Sequence, residues 1–172
     1  PNNEFTERSL SRLARISFEK QEFGTAALHY ASLLEIVQDN NIKREATINL
    51  FISYQELNLE ANALSYAQQV LNIEKLSIET ECRARLFVAN YQFSNGELHL
   101  AQKNYAFVAQ NTALDMASQA QYQLAYLAFL KEEGKITDLN KILSFMLKDK
   151  KNYSNKINLV LLKKIGSPII NK

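Results

Sequence analysis

The side chains best suited to covalent or metal chemistry are few and scattered. Cys82 is the single cysteine, and His29 and His99 stand far apart, in the second helices of different pairs. A thiolate nucleophile needs a base within hydrogen-bond reach, and a zinc site needs several Cys, His or carboxylate ligands at close spacing. Cys82 has no histidine beside it, and neither histidine has a Cys or His at ligand spacing. Cys82 therefore reads as a small packing residue, and the histidines as surface or inter-helix residues. Glu132 and Glu133 read as a solvated helix end, because carboxylate-pair catalysis sets its two groups across a cleft. Gly24, Gly96, Gly134 and Gly166 are isolated, so no glycine-rich loop cradles a phosphate. These absences predict a protein without enzyme activity, metal or cofactor.

The elements that position these residues follow from composition and periodicity. The chain has 172 residues, enough for one domain with a sizeable core, and only 4 Gly and 2 Pro. Scarce turn residues argue for long helices with short links and against a β-rich fold. A lone cysteine excludes an intrachain disulfide but leaves the redox compartment open. No apolar run reaches the ~18 residues of a membrane helix. Net charge is only +2, too little to imply nucleic acid as a direct partner. It is unevenly placed: residues 1–147 carry 13 Lys/Arg against 17 Asp/Glu, and residues 148–172 carry 7 Lys against Asp149 alone. Such a basic tail solubilises the end of a helical stack or attracts an acidic surface. Opening at Pro1 without Met, the chain reads as a mature or excised fragment.

Apolar spacing predicts nine helices. The first spans about 5–20 with an inward stripe of Leu10, Leu13, Ala14, Ser17 and Phe18; the second, about 25–38, buries Ala26, Ala27, Tyr30, Leu33, Leu34 and Val37. The third (43–57) carries Thr47, Leu50, Phe51, Tyr54 and Leu57, and the fourth (60–73) Ala63, Leu64, Ala67, Val70 and Leu71. Asp39-Asn40-Asn41 reads as a polar stop. Ser77 is the expected N-cap of the fifth (78–94), and Gly96 the left-handed residue after it. The sixth (97–111) holds Leu98, Ala101, Tyr105 and Val108. Thr112-Ala113-Leu114-Asp115 reads as a capping box for the seventh (113–132), which holds Tyr122, Leu124, Ala125, Ala128 and Phe129. The eighth covers about 137–148 and the ninth about 153–165; no strand is expected.

Ala26, Ala63 and Ala101 recur at a nearly constant interval, each in the second helix of a pair. A small side chain where helices cross lets their backbones approach. A helix–turn–helix unit of this length is the mark of a helical repeat. The pattern resembles the tetratricopeptide repeat, through Leu13-Ala14, Phe23, Ala26, Tyr30 and Leu33; Leu50-Phe51, Tyr54, Ala63, Ala67 and Val70; Val88-Ala89, Gly96, Leu98, Ala101, Tyr105 and Val108; and Leu124-Ala125 with Ala128. The match departs where Phe51 replaces a small residue and where Ser17 and Gln92 replace Tyr, and no repeat ends in Pro. The interval is also a little longer than the family's usual one, which implies longer links between repeats. The tyrosine- and asparagine-rich texture is similar to long repeat proteins of Bacteroidetes-type bacteria.

The resemblance implies an all-α, right-handed α-solenoid of about four units, near 5–41, 42–76, 77–112 and 113–148. A basic capping helix and tail would occupy 149–172. It implies a concave groove lined by first helices, exposing Arg8, Ser11, Arg15 and Phe18; Glu45, Ile48, Ile52 and Gln55; Arg83, Leu86, Asn90 and Phe93; and Gln119, Tyr122, Tyr126 and Phe129. In that groove Arg8, Arg15 and Arg83 would grip a carboxylate through paired N–H donors. Phe93, Tyr122, Tyr126 and Phe129 would form an aromatic floor. The carboxylate clamp that binds chaperone tails is incomplete, with Ser11, Arg15 and Phe87 at positions needing other residues, so no chaperone C-terminus is expected. The expected function is a non-catalytic scaffold holding a partner's peptide or helix. Alternatives are a structural segment of a longer self-associating repeat protein, or the sensor half of a transcription regulator. Similarity to the Bacteroidetes-type proteins implies a bacterial cell envelope or periplasm, with the cytoplasm as alternative.

Overall fold

The computed structural model describes residues 3–131, 160–164 and 167–170. Residues 3–131 are all-helical: α1 (Asn3–Glu19), α2 (Phe23–Ile36), α3 (Asn40–Glu56), α4 (Glu60–Leu71), α5 (Ile78–Ser94), α6 (Leu98–Gln110) and α7 (Met116–Lys131). The chain divides into two compact units, Pro1–Asn104 and Tyr105–Lys172.

In the first unit each helix packs on the next, α1 on α2 through to α4 on α5, and α1 also touches α3. Alanine fills the crossings. Ala14, Ala26, Ala46, Ala63, Ala67, Ala84, Ala89 and Ala101 are all fully buried. One apolar cluster joins Ala14, Ala26, Tyr30, Leu33, Val37, Ala46 and Leu50 across α1, α2 and α3. A second joins Phe51, Ala67, Val70, Ala84 and Val88 across α3, α4 and α5. Leu13, expected in the first stripe, is exposed. Leu10, Ala14 and Phe18 instead pack in or against the first cluster.

The turns repeat with the alanines. Gln21, Asn58 and Gly96 have φ of 61°, 55° and 78°, and they recur at the same interval as Ala26, Ala63 and Ala101. Each closes its first helix in the same way. Gln21, Asn58 and Gly96 donate their amides to the carbonyls of Phe18, Gln55 and Phe93 at 2.9, 3.1 and 3.1 Å. The following residues Glu22, Leu59 and Glu97 donate to Ser17, Tyr54 and Gln92 at 2.8, 2.9 and 2.8 Å. This paired bonding is the Schellman arrangement, which satisfies the last carbonyls of a helix and needs a left-handed residue. The three turns that join α1 to α2, α3 to α4 and α5 to α6 thus share one backbone motif.

Helix starts are set by side-chain caps. Asp39 accepts from the amides of Asn41 and Ile42 at 2.7 and 3.1 Å, so the segment read as a stop opens α3 instead. Ser77 accepts from Thr80 N at 3.2 Å, the cap expected for α5. The capping box at 112–115 does not form. Asn111 folds its amide group back to Phe107 O at 2.9 Å, tight turns follow, and α7 opens only at Met116. Its buried residues are Ala117, Ala120 and Leu127.

The ninth helix is also corrected. Val160–Lys164 is a strand, β1, paired antiparallel with β2 (Ser167–Ile170), in the register Val160↔Ile170, Leu161↔Ile169, Leu162↔Pro168 and Lys164↔Ser167. Only Ile165 and Gly166 separate the strands. A two-residue link containing Gly favours a hairpin, and the strands it joins carry Val160, Ile169 and Ile170. The eighth helix (137–148), residues 153–159 of the ninth and Glu132-Glu133 lie outside the described residues.

Candidate functional site

The first helices of the first unit carry most of the side chains expected to meet a partner. Arg15 on α1 reaches Glu45 on α3 through both Nε and a terminal nitrogen, a two-pronged ion pair. Hydrogen bonding to Glu45, aided by its charge, raises the Arg15 guanidinium above its ordinary value. Arg83 on α5 donates Nε to Gln55 Oε1 at 2.8 Å and a terminal nitrogen to Glu56 Oε1 at 2.7 Å, both on α3. These side chains are a third to a half exposed. Each pair is therefore worth no more than ~1 kcal/mol. Their effect is to hold α1, α3 and α5 in register across one surface.

That arrangement pairs two of the three arginines expected to grip a carboxylate. Arg15 and Arg83 already hold carboxylates of the chain itself, because α3 places Glu45 and Glu56 opposite them. Arg8 is exposed and lies in a shallow depression of about 360 Å³ with Glu7, Ser11, Arg12, Arg15 and Ile42. A second depression, about 370 Å³, is lined by Asn41, Arg44, Glu45, Ile48 and Asn49. Arg12 and Ile42 were absent from the expected groove. Arg12 could have been found from its spacing, four residues after Arg8 and three before Arg15, which puts all three on one side of a helix.

Phe18 is half-buried. Its ring packs edge-on against Phe23 and Tyr30, with centroids 5.7 and 6.3 Å away, and it joins the core behind α1. Its place in the last turn of α1, beside the left-handed Gln21, aims it at the start of α2. Asn90 and Phe93 are half-buried on α5. Ile48 and Ile52 flank the second core cluster and are half-buried. In the second unit, Tyr122 and Tyr126 are exposed on α7. Phe129 is half-buried and stacks on Tyr126 at 6.5 Å.

Polar networks sit behind this face. Asn49 donates Nδ2 to the buried Tyr30 hydroxyl at 2.8 Å, giving that phenol the partner that burial requires. Burial raises the Tyr30 phenol, and the Asn49 bond opposes the rise. Arg85 donates to Glu81 at 2.9 Å and to Asn104 Oδ1 at 3.1 Å, and Asn104 donates to Gln92 at 3.0 Å, tying α6 to α5. Arg44 donates to the carbonyl of Lys75, a left-handed residue in the α4–α5 link, at 2.6 Å.

The reactive residues lie elsewhere. Cys82 is fully buried, and burial, then the Glu81 charge, pushes its thiol up, so neutral pH leaves it protonated. His29 is half-buried on α2 and His99 is exposed on α6. Among the described residues no group of His, Cys, Asp or Glu is placed to hold a metal ion. No described helix is long and apolar enough to cross a membrane.

No protein-family model matches the chain. Over 34 residues it is 68% identical to the 3-dehydroquinate synthase of Pelagibacter ubique (strain HTCC1062), a match covering 20% of this chain and 9% of that protein. The chain therefore spans less than a tenth of that relative's length.

Proposed function

We propose that the chain is a non-catalytic interaction scaffold. Its helix pairs are tetratricopeptide-like repeats stacked as a right-handed solenoid, and its first helices offer a surface to a peptide or helix of a partner protein. The observation that carries this reading is the division of labour between the two sides of each helix pair. Alanines and aliphatics fill the crossings between consecutive helices. The first helices instead present long, half-exposed polar side chains around two open depressions. The shared turn motif at Gln21, Asn58 and Gly96 supports treating the pairs as repeats. Surfaces of this kind recognise by shape and hydrogen bonding, with aromatic and arginine anchors contributing most. Arg8 and Arg12 fill the anchor role in the first unit, and Tyr122 and Tyr126 in the second. The likeness to 3-dehydroquinate synthase covers too little of that enzyme to bring its activity with it.

A photo-crosslinking residue placed at Ser11 should capture a defined protein from extract of the source cells, and Arg12→Glu should weaken that capture at least tenfold. The same probe at Glu35, on α2, should not yield that adduct. Equal capture from both positions, or indifference to Arg12→Glu, would reject the surface. Measurable 3-dehydroquinate synthase activity in the purified chain would reject the non-catalytic reading.

A further inference from the structure

We infer that the outer face of α1 is the seat of one more helix, the second helix of a further repeat lying ahead of Pro1 in the same polypeptide. The inference rests on reading the helix pairs as repeats. Shifted by the repeat interval, Phe5, Ser9, Leu13 and Ile16 on α1 correspond to Ile42, Ala46, Leu50 and Ser53 on α3. They correspond in turn to Thr80, Ala84, Val88 and Tyr91 on α5. Residues at i, i+4, i+8 and i+11 share one stripe of a helix. On α3 this stripe meets α2: Ala46 and Leu50 are 0% exposed within the cluster that holds Ala26, Tyr30 and Leu33. On α5 it meets α4: Ala84 is 0% and Val88 6% exposed, against Ala67 and Val70. On α1 the same stripe is left open. Phe5 is 84%, Leu13 48% and Ile16 42% exposed.

An array ends on a polar face where it truly ends, because an apolar one invites association. The α1 stripe is built like the internal ones. The occupant's chemistry can be read from the helices that fill the equivalent seats. The second helices bury Ala26, Tyr30 and Leu33; Ala63, Ala67 and Val70; and Ala101, Tyr105 and Val108, the same i, i+4, i+7 pattern each time. The occupant is an amphipathic helix with Ala, then Ala or Tyr, then Leu or Val at those spacings. Its source follows from the links. Three residues join α2 to α3 and six join α4 to α5, so each seat is filled by the helix that immediately precedes it in sequence. A second copy of the chain is a poor source, since α2 and α4 are already covered by α3 and α5.

The test compares the full-length polypeptide encoded by the source gene with the 172-residue chain. Leu13→Cys is introduced into both, with Leu28→Cys, on the outward side of α2, as control. Labelling by a soluble thiol reagent is timed; buried Cys82 contributes little. Cys at position 13 should react at least tenfold more slowly in the longer polypeptide, while position 28 reacts alike in both. Equal rates at position 13 overturn the inference. So does a reading frame lacking the Ala-x3-Ala/Tyr-x2-Leu/Val pattern in the segment just ahead of Pro1. Protection of position 13 that grows with concentration of the 172-residue chain also overturns it, in favour of self-association. Partner capture at Ser11 is a separate readout, so failure of one does not entail failure of the other.

Discussion

If Phe51 and Ala67 share one packing space, a substitution harmful alone should become harmless when the other is changed. Phe51 on α3 and Ala67 on α4 are both fully buried, in one cluster with Val70, Ala84 and Val88. Phe51 also meets Phe87 edge-on, with ring centroids 5.6 Å apart. Phe51→Ala removes a whole ring from this cluster and should cost ~3–5 kcal/mol. Ala67→Leu forces about three methylene equivalents into a filled crossing and should cost ~1–3 kcal/mol. In the Phe51→Ala background the leucine has a cavity to enter. There it recovers up to ~0.8 kcal/mol per methylene and avoids the overpacking. Ala67→Leu is therefore expected to be neutral or stabilising in that background, a coupling of about 2 kcal/mol. Contacting residues show couplings of this order, whereas distant ones add within ~0.5 kcal/mol. The assay is urea unfolding followed by far-ultraviolet circular dichroism, with the four proteins of the cycle measured together. A cost for Ala67→Leu that is the same in both backgrounds would rule out the shared space, and with it the close α3–α4–α5 crossing.

Further outcomes follow from the turns and from burial. Gln21 holds a left-handed φ of 61° where Gly96 performs the same turn at 78°; Gln21→Gly should raise stability by up to ~1 kcal/mol and Gly96→Ala should lower it by ~1 kcal/mol, both read from urea midpoints. The Tyr105 phenol is pushed up by burial from 10.0 to about 12. Below pH 10 its protonated form is kept in folded and unfolded chains alike, and its contribution is intact. Between pH 10 and about 12 only the unfolded chain loses the proton, so stability falls as pH rises. Tyr105→Phe should flatten that fall, and a stability curve of unchanged slope in the variant would count against the buried phenol.

The all-helical body was legible because each second helix writes its buried stripe plainly. Ala26-Tyr30-Leu33, Ala63-Ala67-Val70 and Ala101-Tyr105-Val108 are spaced by helix turns, and all are buried. Every described helix starts within one turn of its expected position. The failures lie where local and tertiary signals conflict. Asp39 reads as a stop in the sequence although it caps the next helix, because an Asx residue at a helix boundary serves either side. The Val160–Lys164 strand reads as helix in the sequence, since a short apolar run has no period long enough to decide. The setting of the Phe18 ring is also a tertiary matter. The left-handed turn at Gln21 carries no glycine to announce it, and that turn brings Phe23 and Tyr30 against the ring.

The candidate surface was less legible than the core. Arg15 and Arg83 were readable as long cations on first helices, but their occupancy by Glu45, Gln55 and Glu56 was not. Those partners lie 27 to 30 residues away in sequence, and no short-range pattern records such pairings. Period, helix type and the small residues at crossings are local properties, written in spacing and side-chain volume, and the linear chain suffices to state them. Which charges neutralise one another, and which apolar stripe is sealed or left open, depend on where successive helices are set against each other. That relation exists only after the turns at Gln21, Asn58 and Gly96 have closed.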